Sequence, residues 1–220
     1  MNKKLNVSAS PHVRSKDTTS SIMRDVVIAM IPAAVVGIVN AFVNMGTSVG
    51  INAILIIAVS IAASVLAEYV YEKGMKKPIT IGDYSAVVTG LILALNMPPY
   101  IAPWIPALGC VFAIIIVKQL YGGLGQNFMN PALGGRCFLL IAFAADMTNF
   151  NAGRYEAYSG ATPLGMIRNE GLSSVNVMDM LTGKIPGTIG ETSMVAIVIG
   201  ACFLLLTGVI DLKVPGSYLV

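Results

Sequence analysis

Residues 25–44 read DVVIAMIPAAVVGIVNAFVN. Only Asp25 at the start is charged, and the rest is apolar or small apart from two Asn. At ~1.5 Å per residue, twenty residues of helix reach ~30 Å, the thickness of a bilayer's hydrocarbon core. Pro32 predicts a kink. A second run over residues 51–71 is as long and as apolar. Two such spans in succession indicate an integral membrane protein.

The composition agrees. Hydrophobic residues make up 55% of the 220 and charged ones 11%, where a soluble domain carries about 25% charge. Mean hydropathy is +0.77. The first 24 residues are polar and basic with no apolar core, so a soluble tail is expected and a cleaved signal peptide is not. A net charge of +3 is too small to argue for nucleic acid. Cys110, Cys137 and Cys202 sit in apolar runs without a Cys-x-x-Cys pair, so buried structural thiols are expected and metal ligation is not.

Further spans follow at residues 84–97, 101–120, 131–145 and 192–210, and another starts at Val214. The runs at 84–97 and 131–145 are short and bounded by Gly and Pro. In transporters, discontinuous helices leave backbone ends inside the membrane to line a site. Short helices buried among longer ones fit the pattern equally. The expected fold is all-α, a multi-span bundle of six to seven helices. It divides into a tail (1–24), a five-helix membrane half (25–145), a polar loop (146–191) and the start of a second membrane half (192–220).

Basic residues orient the bundle. Lys3, Lys4, Arg14, Lys16, Arg24, Lys73, Lys76, Lys77, Lys118, Arg136 and Lys213 fall on one side, and Arg154, Arg168 and Lys184 on the other. Eleven against three places the N-terminus in the cytoplasm and the polar loop outside.

Two polar cassettes carry chemistry. Residues 159–164 read Ser159, Gly160, Ala161, Thr162, Pro163, Leu164. Locally this is a turn, and it also offers an accessible hydroxyl between small residues. Residues 122–131 read GGLGQNFMNP. Here Gly123 and Gly125 permit close backbone approach, and Asn127 and Asn130 supply uncharged donors and acceptors suited to a neutral ring such as isoalloxazine. The same residues make a tight turn in which Asn130 caps a helix with Pro131 in its first turn. The spacing does not fit a dinucleotide fingerprint or a P-loop. Asp83 is expected to cap the helix after it. Glu68 is expected at the interface beside Lys73; at membrane depth, either acid is a candidate for binding a cation or relaying a proton.

With residues 10–12 (SPH), 82–91 (GDYSAVVTGL) into Pro98-Pro99, 118–132 (KQLYGGLGQNFMNPA), 159–164 and 186–193 (PGTIGETS), the chain resembles the D subunit of the Rnf complex. That family includes the B subunit of the sodium-pumping NADH:quinone oxidoreductase. The resemblance implies ten helices in two inverted halves, similar to urea transporters. This chain shows six spans and the start of a seventh, so it resembles a piece lacking about the last three helices and more. The resemblance further implies FMN joined to Thr162 by a phosphoester, installed by a flavin transferase. A second, non-covalent flavin, riboflavin among the options, would lie near Asn127, Asn130, Gly123 and Gly125. The implied function is an electron-transfer subunit, not catalytic alone, of a ferredoxin:NAD+ oxidoreductase coupled to Na+ or H+. Its implied partners are the other membrane and peripheral subunits and lipid, in a bacterial or archaeal cytoplasmic membrane. A passive channel or solute transporter of the same fold, without flavin, is the alternative.

Overall fold

The structure is a computed structural model that describes residues 17–148, 150, 164, 167–168 and 176–219. Its regular elements are helical, as expected of an all-α membrane protein.

Helix α1 (Thr19–Asn40) starts six residues before the apolar run does. Thr18 and Ser21 form a reciprocal capping box: Ser21 N donates to Thr18 Oγ1 at 3.2 Å, and Thr18 N to Ser21 Oγ at 3.0 Å. The cap supplies acceptors for first-turn amides and lets the helix begin in polar sequence. A π-helical turn, Ala41–Met45, extends it until Gly46 breaks it at φ 111°. Together these 27 residues are about 40 Å long. Helix α2 (Thr47–Gly74) is of similar length, 28 residues. These two are long and apolar enough to cross a bilayer. Ile31, Val35, Val39 and Val43, spaced four apart, are about half exposed, giving α1 an apolar outer stripe that suits lipid.

A 3-10 turn (Ile81–Asp83) leads into α3 (Ser85–Leu95), the central helix, with eight of its eleven residues buried. It packs against α2, where Gly90 is required. A Cβ there would lie 2.7 Å from Ser60 O and from Ser64 Oγ. The turn after α3 contains Pro98 and Pro99, which lack N–H groups. Asn52 of α2 fixes it by donating to Pro99 O at 2.8 Å and Ile101 O at 2.9 Å. Helix α4 (Trp104–Phe112) then runs back and ends in a π-helical stretch, Ala113–Gln119. Helix α5 (Pro131–Ala142) begins with Pro131 behind the Asn130 cap and is followed by the short α6 (Ala144–Thr148).

Beyond α7 (Val177–Thr182), residues 186–193 dock on the end of α3. Ile189 N donates to Met97 O at 3.0 Å and Gly190 N to Leu95 O at 2.8 Å. Carbonyls at a helix end that lack intrahelical partners are thereby satisfied. Gly37 permits the approach: a Cβ there would lie 1.9 Å from Ile189 O. Helix α8 (Met194–Leu206) packs on α1 through Gly200, and α9 (Lys213–Leu219) closes the described chain.

Three expectations change. Cys110 is buried, but Cys137 and Cys202 are exposed on α5 and α8, so they are not core thiols. Glu68 is not interfacial beside Lys73. Helix α2 continues to Gly74, which places Glu68 within the bundle, fully buried, while Lys73 lies over the Tyr69 ring. Lys118 and Arg136, counted as orienting cations at the membrane surface, lie within helices of the bundle. Lys118 is buried, and Arg136 on α5 donates to Asn96 Oδ1 at 2.7 Å. Removing both from the basic count still leaves the same side in excess.

Candidate functional site

Helix α2 places Ser60, Ser64, Glu68 and Glu72 at four-residue spacing, so they share one face. All four are buried. The face turns toward α3 and the π-helical end of α4, where Lys118 and Gln119 enter.

Lys118 Nζ donates to Glu68 Oε1 at 2.6 Å and to Ser85 Oγ at 2.6 Å. Gln119 Nε2 donates to the same Glu68 oxygen at 2.7 Å and to Glu72 Oε1 at 3.3 Å. Glu72 also accepts from Thr80 N at 3.0 Å and from Thr80 Oγ1. Ser85 passes the chain on by donating through Oγ and N to Asp83 Oδ1, the latter at 2.8 Å. Asp83 therefore caps α3 from one residue ahead of the formal cap, Tyr84, whose left-handed φ of 62° turns the backbone.

Lys118 is 1% exposed and Glu68 0%. A buried ion pair adds little net stability, but losing one partner strands a charge. Glu68 Oε2 is buried with no hydrogen-bond partner among the described residues. An ammonium has three hydrogens, and two of those on Lys118 go to Glu68 and Ser85. Lys118 also lines a cavity of about 200 Å³ with Ser85, Thr89, Leu124, Asn127 and Asn130.

The glycine-asparagine cassette thus meets the network. Gly122, Gly123 and Gly125 adopt φ of 118°, 100° and 83°, which side chains disfavour. Asn130 Oδ1 accepts from Ala132 N at 2.9 Å and Leu133 N at 3.3 Å, which occupies that oxygen as the helix cap. Asn127 Nδ2 donates to Met129 O at 2.6 Å. Asn127 and Asn130 share the inner cavity. Gly123 lines a second cavity instead, of about 410 Å³, shared with Glu72, Lys77, Asp83 and Gln119 and here called the mouth. Leu124 borders both. Gly125 borders neither.

Ser159, Gly160, Ala161, Thr162 and Pro163 lie outside the described residues. Leu164 is helical and exposed.

Sequence pattern does not single out Lys118, Glu72, Gln119 and Ser85 as site residues, and it places Glu68 elsewhere. Part of the signal is there: four polar residues at spacing four within an otherwise apolar helix. Their partner on α4 lies fifty residues away, and no local pattern connects them.

The profile of the NQR2, RnfD, RnfE family matches residues 6–220. The D subunit of the Na(+)-translocating ferredoxin:NAD(+) oxidoreductase complex of Acetobacterium woodii is 43% identical over 98% of this chain and 66% of its own length. The D subunit of the proton-translocating ferredoxin:NAD(+) oxidoreductase complex of Clostridium ljungdahlii is 39% identical over 95% and 64%. The D subunit of the ion-translocating oxidoreductase complex of Alcanivorax borkumensis is 32% identical over 96% and 67%. The chain spans about two thirds of the length of these relatives.

Proposed function

Because the chain belongs to the NQR2, RnfD, RnfE family, we propose that it serves as a membrane electron-transfer subunit of an ion-translocating ferredoxin:NAD+ oxidoreductase complex. Its partners would be the other subunits of that complex. The observation that carries this reading is the match with D-subunit relatives over nearly the whole chain. One of those relatives is named for Na+ and the other for protons, so the coupling ion does not follow from similarity.

Two flavins belong to the proposal. FMN is joined to Thr162 through a phosphoester by a flavin transferase, with Ser159, Gly160, Ala161, Pro163 and Leu164 as the small and turn-forming context. The loop that carries it faces outside, and the N-terminus faces the cytoplasm. The second flavin is non-covalent and sits in the inner cavity, held by Asn127, Asn130 and Lys118. The donor set supports it: amide groups and one further ammonium hydrogen suit the carbonyl oxygens of a flavin ring. At about 200 Å³ the cavity is below the ~300–1,000 Å³ of pockets that enclose a whole drug-sized ligand. It does not enclose a whole flavin, so the reading rests on the donor set of Asn127, Asn130 and Lys118 and not on volume. When bound, the flavins supply the electron chemistry. The protein supplies position and electrostatics.

In-gel fluorescence after denaturation tests the covalent flavin, and acid extraction tests the other. A chain that yields neither from its native membranes belongs with the flavin-free channel reading.

A further inference from the structure

The buried charge network lies between the two cavities. Glu72 and Gln119 border the mouth, and Lys118 and Ser85 border the inner cavity. The hydrogen bonds from Gln119 to both glutamates, and from Lys118 to Glu68, join one side to the other. Lys118 thus stands between the Glu68 carboxylate and the inner cavity.

Among its fully buried members, two carboxylates face one ammonium. Each oxygen of Glu72 has donors, but Glu68 Oε2 has none among the described residues. An electron arriving on the cavity's occupant adds a negative charge beside Lys118. One ammonium cannot neutralise both that charge and Glu68. An uncompensated carboxylate in the interior of a membrane protein is costly. The cavity at Glu72 offers a route for compensation.

We propose that the Lys118–Glu68 pair is a charge-coupling element, in which one electron received in the inner cavity is balanced by one monovalent cation drawn from the mouth to Glu72 and Glu68. The proposal rests on the flavin reading of the inner cavity. The balance is simple. A low-potential one-electron donor, dithionite in the titration below, would supply the electron while one cation of charge +1 enters at the network, and a one-electron acceptor would remove the electron as the cation leaves. No covalent bond within the protein forms or breaks. The other charged groups facing Glu72 are Lys77 from the segment after α2, Asp83 from the 3-10 turn, and Lys118. Lys77 Nζ donates to Gln119 O at 3.4 Å and lies 5.0 Å from the Tyr71 ring centroid, where it partly offsets the acids at the mouth.

The test is an anaerobic redox titration with dithionite of the acid-extractable flavin, followed in the assembled complex from native membranes. Na+ is varied at fixed pH, then pH at fixed Na+. The midpoint is expected to rise by about 59 mV for each tenfold increase in the cation taken up. A slope with Na+ identifies sodium, and a slope with proton concentration alone identifies the proton. In either case Glu72→Gln removes the slope and keeps the flavin, which separates uptake at the network from protonation of the ring itself. The double variant Glu68→Met with Lys118→Met, uncharged and similar in bulk, is the second test. It is expected to lose the slope and to lower the midpoint. Absence of an extractable flavin would overturn the flavin reading and this proposal with it. A bound flavin whose midpoint ignores both cations, or whose slope survives Glu72→Gln or the double variant, would overturn the coupling alone.

Discussion

Lys118 and Glu68, fifty residues apart in sequence, meet at 2.6 Å in the interior of the bundle. Their pairing holds the π-helical end of α4 against α2 and positions Ser85 at the start of α3. The inner cavity owes its one buried cation to this contact.

Breaking the pair from one side should destabilise strongly. Lys118→Met leaves Glu68 buried without its counter-charge, a loss of about 3–5 kcal/mol. Adding Glu68→Met should recover most of it. Thermal unfolding in detergent of the two variants checks this. Equal stability of the single variant and the parent would contradict the burial.

Gly37 predicts a packing effect at a distance in sequence. Its Cβ position lies 1.9 Å from Ile189 O, so Gly37→Ala must push residues 186–193 away from α1. Overpacking of this kind typically costs about 1–3 kcal/mol. Gly82→Ala, with nothing within 4 Å of the new atom, is the matched control and should leave the melting temperature unchanged within about a degree.

The short third and fifth helices are legible in the sequence, because Pro98-Pro99 and Asn130-Pro131 are strong local punctuation. The Asn130 cap is legible for the same reason. Local pattern does not reveal the true start of α1. Its Thr18–Ser21 box uses a serine hydroxyl where the usual pattern has Glu or Gln. The π-helical turns leave no compositional mark. Lys118 reads as an orienting cation at the end of the span 101–120. Its burial depends on Glu68, and contact between distant helices is not written in either neighbourhood.

The second flavin can be tested without disturbing the fold. Asn130 Oδ1 caps α5, so Asn130→Leu would cost about 0.5–2 kcal/mol from the cap alone. Asn130→Asp keeps the cap while removing the amide donors. Combined with Asn127→Leu, it should weaken the extractable flavin about five- to hundredfold, from a lost buried hydrogen bond of ~1–3 kcal/mol. Modification of Thr162 should persist. Extractable flavin held as tightly as in the parent would count against this site.

Orientation is testable in whole cells. Asn151→Cys, in a background with Cys110, Cys137 and Cys202 replaced, should react with a membrane-impermeant thiol reagent before lysis. The basic asymmetry of the other loops motivates this. Labelling only after lysis would place the loop in the cytoplasm.

A flavin-carrying role in electron transfer is tested most directly by the intact mass of the chain expressed with a flavin transferase. The expected result is an increase of one FMN less one water, mapped by peptide fragmentation to Thr162 and lost in Thr162→Val. An unmodified mass under those conditions, or the same increase in Thr162→Val, would contradict it.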